Sequence, residues 1–261
     1  MAWSYSRSKR FNECNRRWHF ATHDDDPREQ QMSHPREPDG ASVGTVVHEA
    51  IAEQVGEWRD HDRTSLVDAK KSAEEGMIQL WEEFHSDEDV TPERKKMISI
   101  CKRHLTNVFR DIWSRYEDQT YISHEQSATF PIDGYPVTVK VDLCLRTADG
   151  KLRIVDWKTG MPDRRADVHP QLMTYALWAF EHLEPDLSKI MVEFVSTGNG
   201  YVDKAIPKKA QLDSIRNRIR EESRLWSEST AVEEYPPNPS EKLCASCEYL
   251  ERCDAGRGVV G

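Results

Sequence analysis

No stretch of this sequence approaches the ~20 consecutive apolar residues that a membrane-spanning helix needs, so no helical span and no membrane partner is expected. The opening residues, Met1-Ala2-Trp3-Ser4-Tyr5-Ser6-Arg7, lack the apolar segment of a secretion signal, which places the expected location in a reducing cytoplasm. There is no Gly-x-x-x-x-Gly-Lys-Ser/Thr loop, so a fused helicase motor is not expected. Positive charge is also short, with a formal net charge of −10. That total does not exclude a nucleic-acid partner, because phosphate binding depends on local patches. Basic clusters occur at Arg7, Lys9, Arg10, Arg16 and Arg17, at Arg94, Lys95 and Lys96, and at Arg216, Arg218 and Arg220. Each is equally an ordinary solvated face, so composition leaves the partner open. What is present in quantity is aromatic: eight Trp, eight Tyr and seven Phe in 261 residues supply a core and exclude wholesale disorder. The length suits one large domain, or one domain with a small appendage.

Residues 24–40 are polar, carry three prolines and show no periodicity, which predicts a loop or mobile lid. Val43, Val46, Val47, Ala50, Ile51 and Val55 recur at helical spacing and predict a helix from Ser42 to about Trp58. Two more helices are predicted over 65–86 and 91–118, the second on a stripe running from Met97 through Cys101 and Leu105 to Ile112. The period then changes. Residues 121–130, 135–146 and 151–157 read as strands joined by turns at Asp133-Gly134 and Asp149-Gly150. A helix over 168–183, a hairpin of 189–196 with 200–206 across Gly198-Asn199-Gly200, and a helix over about 208–229 follow. Pro236, Pro237 and Pro239 lead into a cysteine-bearing tail. This order predicts an α/β or α+β domain with a mixed sheet.

The chemistry concentrates in Val139-Lys140-Val141-Asp142-Leu143 and Ile154-Val155-Asp156-Trp157-Lys158-Thr159-Gly160. An aspartate in an apolar strand is costly unless it has a partner. Adjacent antiparallel strands can bring Asp142 and Asp156 close enough to share one divalent cation. Lys158 follows Asp156 by two residues, and so shares its face. Two carboxylates with a hard cation and an ammonium are the elements that phosphodiester hydrolysis requires. The plain alternative is two strand-end aspartates and a surface lysine.

This stretch resembles motifs II and III of the RecB-like branch of the PD-(D/E)XK nucleases, where an Asp in one strand precedes Asp-x-Lys-Thr-Gly in the next. Upstream, Gly44-Thr45-Val46-Val47-His48-Glu49-Ala50 resembles the helix that supplies a histidine metal ligand in that family. Downstream, Gln171-Leu172-Met173-Thr174-Tyr175-Ala176 resembles its Gln-x-x-x-Tyr helix. The resemblance implies that His48, Asp142, Asp156 and the backbone carbonyl of Trp157 hold Mg²⁺ or Mn²⁺. Lys158 would assist catalysis, and Gln171 and Tyr175, four apart on one helical face, would reach the DNA backbone or the lysine. Taken alone, His48 is an ordinary helix histidine. Glu49 competes for the ligand role, but points about 100° away around the helix.

Cys244-Ala245-Ser246-Cys247-Glu248-Tyr249-Leu250-Glu251-Arg252-Cys253 places three thiols in ten residues, with Cys14 near the other end. Cys101 lies on a helix stripe and Cys144 in a strand, so both read as core. A cytosolic disulfide is disfavoured, which leaves metal as the use of the other four. Four thiolates by themselves suit Zn²⁺. Together with Ser4-x-Ser6, Trp18 and Phe20, however, they resemble the [4Fe–4S] arrangement of RecB-like exonucleases, including the CRISPR-associated (Cas "four") family and the AddB nuclease domain.

The resemblance therefore implies a restriction-endonuclease-like α/β core, a mixed central sheet flanked by helices, with a helical insertion and an iron–sulfur subdomain made by both termini. The expected division is 1–20 with 235–261 for that subdomain, 42–118 for the helical region carrying His48, and 119–234 for the nuclease core. The expected function is a metal-dependent exonuclease on single-stranded DNA ends, in repair, recombination or CRISPR adaptation, alongside other proteins of those processes. The alternative is a catalytically silent DNA-binding or assembly subunit of the same fold, although the acidic and lysine positions are all intact.

Overall fold

The computed structural model describes residues 1–23, 38–85, 91–160 and 165–260; the loop expected over 24–40 lies, through residue 37, outside them. In chain order the elements are α1 (Tyr5–Glu13), α2 (Asn15–His23), α3 (Gly40–His61), α4 (Leu66–Phe84), α5 (Pro92–Asn107), β1 (Thr120–Ile132), β2 (Tyr135–Arg146), β3 (Leu152–Lys158), α6 (Pro170–His182), β4 (Ile190–Ser196), β5 (Val202–Ala205), α7 (Lys209–Glu228), α8 (Glu241–Cys244) and α9 (Asp254–Val260). Among the described residues no helix is long and apolar enough to cross a membrane.

The chain gathers into two compact units, Met1–Ser33 with Thr129–Val139 and Ser214–Gly261, and His34–Ala128 with Lys140–Asp213. In the second unit α3 starts on a capping box. The Asp39 carboxylate accepts from the backbone of Ala41 and Ser42, and the Ser42 hydroxyl accepts from the Asp39 backbone. Its buried stripe is the predicted one, Val43 to Trp58. Ser65 caps α4, whose Ala69, Ala73, Met77 and Trp81 repeat every four residues and are buried. The helix predicted over 91–118 begins at the Thr91 cap with Pro92 in its first turn, but α-helical winding stops at Asn107. A π turn over 108–112 and a 3₁₀ turn over 113–115 complete it. The cause is tertiary: the Asn107 amide donates to the carbonyls of Thr197 and Gly198, which ties this turn to the end of β4.

The five strands form one mixed sheet in the order β1-β2-β3-β4-β5. β2 and β3 run antiparallel, β3 and β4 parallel, and β4 and β5 antiparallel. The parallel pair is possible because α6 provides the crossover between its strands. The turn between β1 and β2 places Asp133 at φ 49° and Gly134 at φ 86°, both left-handed, as a two-residue hairpin loop demands. Leu143, Leu145, Val155, Trp157 and Val195 enter one core with the stripes of α3, α4 and α5. Each such side chain contributes roughly 1.5–3 kcal/mol on leaving water. Because the strand period is two, their neighbours Asp142, Asp156 and Lys158 project to the opposite face.

In the first unit the two ends of the chain meet. Trp3 bridges to Val137, and its indole N–H donates 2.7 Å to Glu222. Asn12 and Arg218 also donate to that carboxylate, which is why it tolerates burial. Trp18 stacks on Trp226 at 4.7 Å and on Tyr235 at 5.5 Å, with Phe11 edge-on to all three.

Candidate active site

The β2–β3 ladder runs from Arg146↔Leu152 to Leu143↔Val155. One step further the Asp142 carboxylate accepts the Trp157 backbone N–H at 2.8 Å, so the aspartate is pinned where the backbone pairing ends. His48, from α3, stands with Nδ1 3.4 Å from Asp142 Oδ2. The residue one turn earlier must be small for α3 to come this near: a Cβ on Gly44 would stand in van der Waals contact, 3.4 Å from the Thr159 hydroxyl. Asp156 is 1% exposed, and its Oδ2 lies 2.6 Å from Lys158 Nζ. Beyond this ion pair Oδ2 has no hydrogen-bond partner among the described residues.

Lys158 is held from α6. Its ammonium donates 2.9 Å to Gln171 Oε1, and the Gln171 amide donates 2.8 Å to the Tyr175 hydroxyl. An ammonium only donates, which fixes the orientation of the amide. The His169 side chain accepts from the Gln171 backbone, and Pro170 opens the helix. Behind the lysine the Thr197 backbone N–H and hydroxyl both reach the Lys158 carbonyl, and His104 Nδ1 lies 2.8 Å from that hydroxyl.

Burial pushes both carboxylates up, Asp142 and Asp156 each to about 7. Glu125 is the next cause for Asp142, and Asp142 the next for Asp156. Burial lowers the imidazole of His48 and raises Tyr175 well above its ordinary value. The two carboxyl shifts have one meaning: the site resists holding both carboxylates ionised without a further cation beside Lys158.

Glu125 is the residue that sequence reading missed. One ligand atom each from His48, Glu125 and Asp142 lie within 4.8 Å of one another; Asp156 does not complete a trio at that distance. A signal existed: counted from the two-residue Asp133-Gly134 turn, Glu125 falls opposite Asp142. Most of the basic clusters, by contrast, are engaged within the fold. Arg17 pairs with Glu248, Arg218 with Glu222 and Arg220 with Asp133.

The sequence profile of the PD-(D/E)XK nuclease superfamily matches residues 2–254. The chain belongs to that superfamily. Membership implies a metal-dependent nuclease, a hydrolase that takes DNA as substrate and Mg²⁺ or Mn²⁺ as cofactor. No curated protein sequence matches the chain. Among 17 solved chains that match, one described as "Crystal structure of SSO0001" aligns over 87% of this chain and 92% of its own. Its identity is 15% and its TM-score 0.35, too loose to bear on the assignment.

This superfamily member also has a cysteine-lined cavity in its first unit. Cys14, Cys244, Cys247 and Cys253 all face it, beside Phe20 and Tyr249. Gly256 leaves part of the space: a Cβ there would meet Leu250 Cδ1 at 3.2 Å, Cys244 Sγ at 3.5 Å and Cys253 Cβ at 3.6 Å. The Asn238 backbone N–H donates to Cys14 Sγ at 3.5 Å. The four thiols are unpaired, and among the described residues no three of their sulfurs lie within 4.8 Å of one another. Cys101 and Cys144 are fully buried elsewhere, their thiols pushed up by burial to about 11 and about 12.

Proposed function

We propose that this chain is an exonuclease acting on single-stranded DNA ends. In this reading His48, Asp142, Asp156 and the Trp157 carbonyl hold the divalent cation. The observation that carries it is the pair of buried, under-compensated carboxylates facing a lysine locked by Gln171 and Tyr175. Bound there, Mg²⁺ or Mn²⁺ supplies Lewis-acid polarisation of the phosphate and an acidified water. The protein's own part is placement. The Trp157 N–H fixes the Asp142 rotamer, while Asp156 and Gln171 hold the Lys158 side chain aimed where negative charge develops. A catalytically silent subunit is the second reading, and the intact set of acidic, lysine and histidine positions weighs against it.

Cys14, Cys244, Cys247 and Cys253 are proposed to hold a [4Fe–4S] cluster, with 1–20 and 235–261 as its subdomain, 42–118 as the helical region and 119–234 as the nuclease core. Tetrahedral zinc at about 2.3 Å from each sulfur needs thiolates roughly 3.8 Å apart. A four-iron cluster spreads them more widely. The likeness of the Cys14 and Cys244-x-x-Cys247-x₅-Cys253 pattern to that of RecB-like iron–sulfur nucleases favours the cluster. The resemblance to CRISPR-associated and AddB nucleases supports a cytoplasmic role in DNA repair, recombination or CRISPR adaptation.

The test uses linear single-stranded DNA labelled at either end, its circular form, and linear duplex, each with Mg²⁺ or Mn²⁺. Progressive shortening of linear single strands with circles left intact is expected. Equal cutting of circles would remove the exonuclease assignment, and no cutting of any substrate would favour the silent subunit.

A further inference from the structure

Glu125 sits within β1 with φ 48°, a left-handed conformation that side chains other than Gly, Asn and Asp seldom adopt. The burial alternation of the strand is lost around it, where Ser123 is buried but His124 and Glu125 are both half-buried. Strain of this kind persists when the surroundings compensate it. The direct partner of the carboxylate is Lys140, whose side chain is 59% exposed, and an exposed ion pair contributes too little to be the whole compensation.

The twisted backbone aims the carboxylate at the active site. Its ligand atom, one from His48 and one from Asp142 are mutually within 4.8 Å. Oxygen and nitrogen donors at about 2.0–2.6 Å from one ion stand roughly 3–5 Å apart, so the separation of the trio is that of ligands to a shared cation. Next to it lies the Asp156 Oδ2, fully buried and without a hydrogen bond. Three carboxylates thus converge, with Lys158 on one side and Lys140 on the other.

We propose that Glu125 is a further ligand of the divalent cation, brought in by β1 from outside the two motif strands, and that Lys140 is the competing cation which the metal displaces from it. This rests on the metal-dependent reading above. It explains why a strand residue would be held left-handed, and it gives the site a carboxylate whose partner can be released when the ion enters.

Mn²⁺ binding to the intact protein, measured by titration calorimetry without DNA, separates the possibilities. Glu125→Gln is expected to weaken Mn²⁺ at least tenfold while leaving the metal-free melting temperature near that of the unaltered protein. Lys140→Gln is expected to tighten it several-fold. If Glu125→Gln proves misfolded, Glu125→Asn removes the charge and suits the left-handed backbone. Unchanged Mn²⁺ affinity in the Glu125 variants, with Asp142→Asn abolishing binding, would overturn the role of Glu125 and leave the metal centre standing. A Glu125–Lys140 pair that serves only structure would lower the melting temperature in both variants and leave affinity untouched. Absence of Mn²⁺ binding by the unaltered protein would overturn the metal centre itself.

Discussion

At the residue scale the site is a set of buried carboxylates held at a cost that the proposed cation would relieve. The carboxyls of Asp142 and Asp156 are raised from 3.8 to about 7 by burial, so the native state holds their protons more tightly than the unfolded chain. Their contribution to stability is complete below about pH 4 and is lost as the pH rises through about 7. The surface carboxylates of Asp60, Asp149 and Asp186 are shifted the other way and act below that window. The metal-free protein should therefore melt progressively earlier from pH 5 to pH 8 relative to an Asp142→Asn, Asp156→Asn double variant, and saturating Mn²⁺ should abolish the difference. Scanning calorimetry at fixed ionic strength checks this, and a rising relative stability across the window would contradict it. Asp142, Asp156 and Lys158 were legible because period two and the Asp-x-Lys spacing place them on one face. For Glu125 the only signal was its count from the Asp133-Gly134 turn, because a left-handed residue breaks the alternation that would have marked it as facing the site.

At the element scale, α3 is the part that carries the histidine to the strands. Gly44 permits that approach, with the Thr159 hydroxyl 3.4 Å from where a Cβ would stand. Ala fits at that distance and is the better helix former, so Gly44→Ala should leave cleavage near normal and stabilise by up to about 1 kcal/mol. Gly44→Leu adds atoms with no room, should displace His48, and should cut Mn²⁺ affinity and cleavage at least tenfold with the circular dichroism spectrum retained. Equal activity of the two variants would show that the packing of α3 does not position the ligand. Helices α3, α4, α6 and α7 and the strand segments were readable from apolar stripes and turn residues, whereas the parallel pairing of β3 with β4 was not. The break of α5 at Asn107 was not, because it depends on amide bonds to carbonyls some 90 residues away. Nor were α1 and α2: α1 buries only Ser8 and Phe11, and the Ser4 cap together with packing onto distant segments decides its state.

At the scale of the whole molecule, the first and last segments share one unit, and the four cysteines face one cavity within it. Cys14 and Cys244 are 244 − 14 = 230 residues apart, so the proposed cluster, joining them, would couple folding to iron across nearly the full sequence. Removing a link of this kind costs on the order of 2–5 kcal/mol, which for a chain of this size is roughly 5–15 °C in melting temperature. Protein prepared without oxygen should be brown. Cys14→Ser should lose both the colour and that stability, whereas Cys101→Ala should keep the absorbance. About one zinc and no iron per chain would remove the cluster and leave the nuclease intact, since the two sites share no residues. Cleavage of end-labelled DNA in Mg²⁺ by the unaltered protein and by Asp156→Ala, both purified free of contaminating nuclease, decides whether this site does the chemistry. The variant should lose several orders of magnitude of activity with its fold retained; full activity of Asp156→Ala would place the chemistry elsewhere.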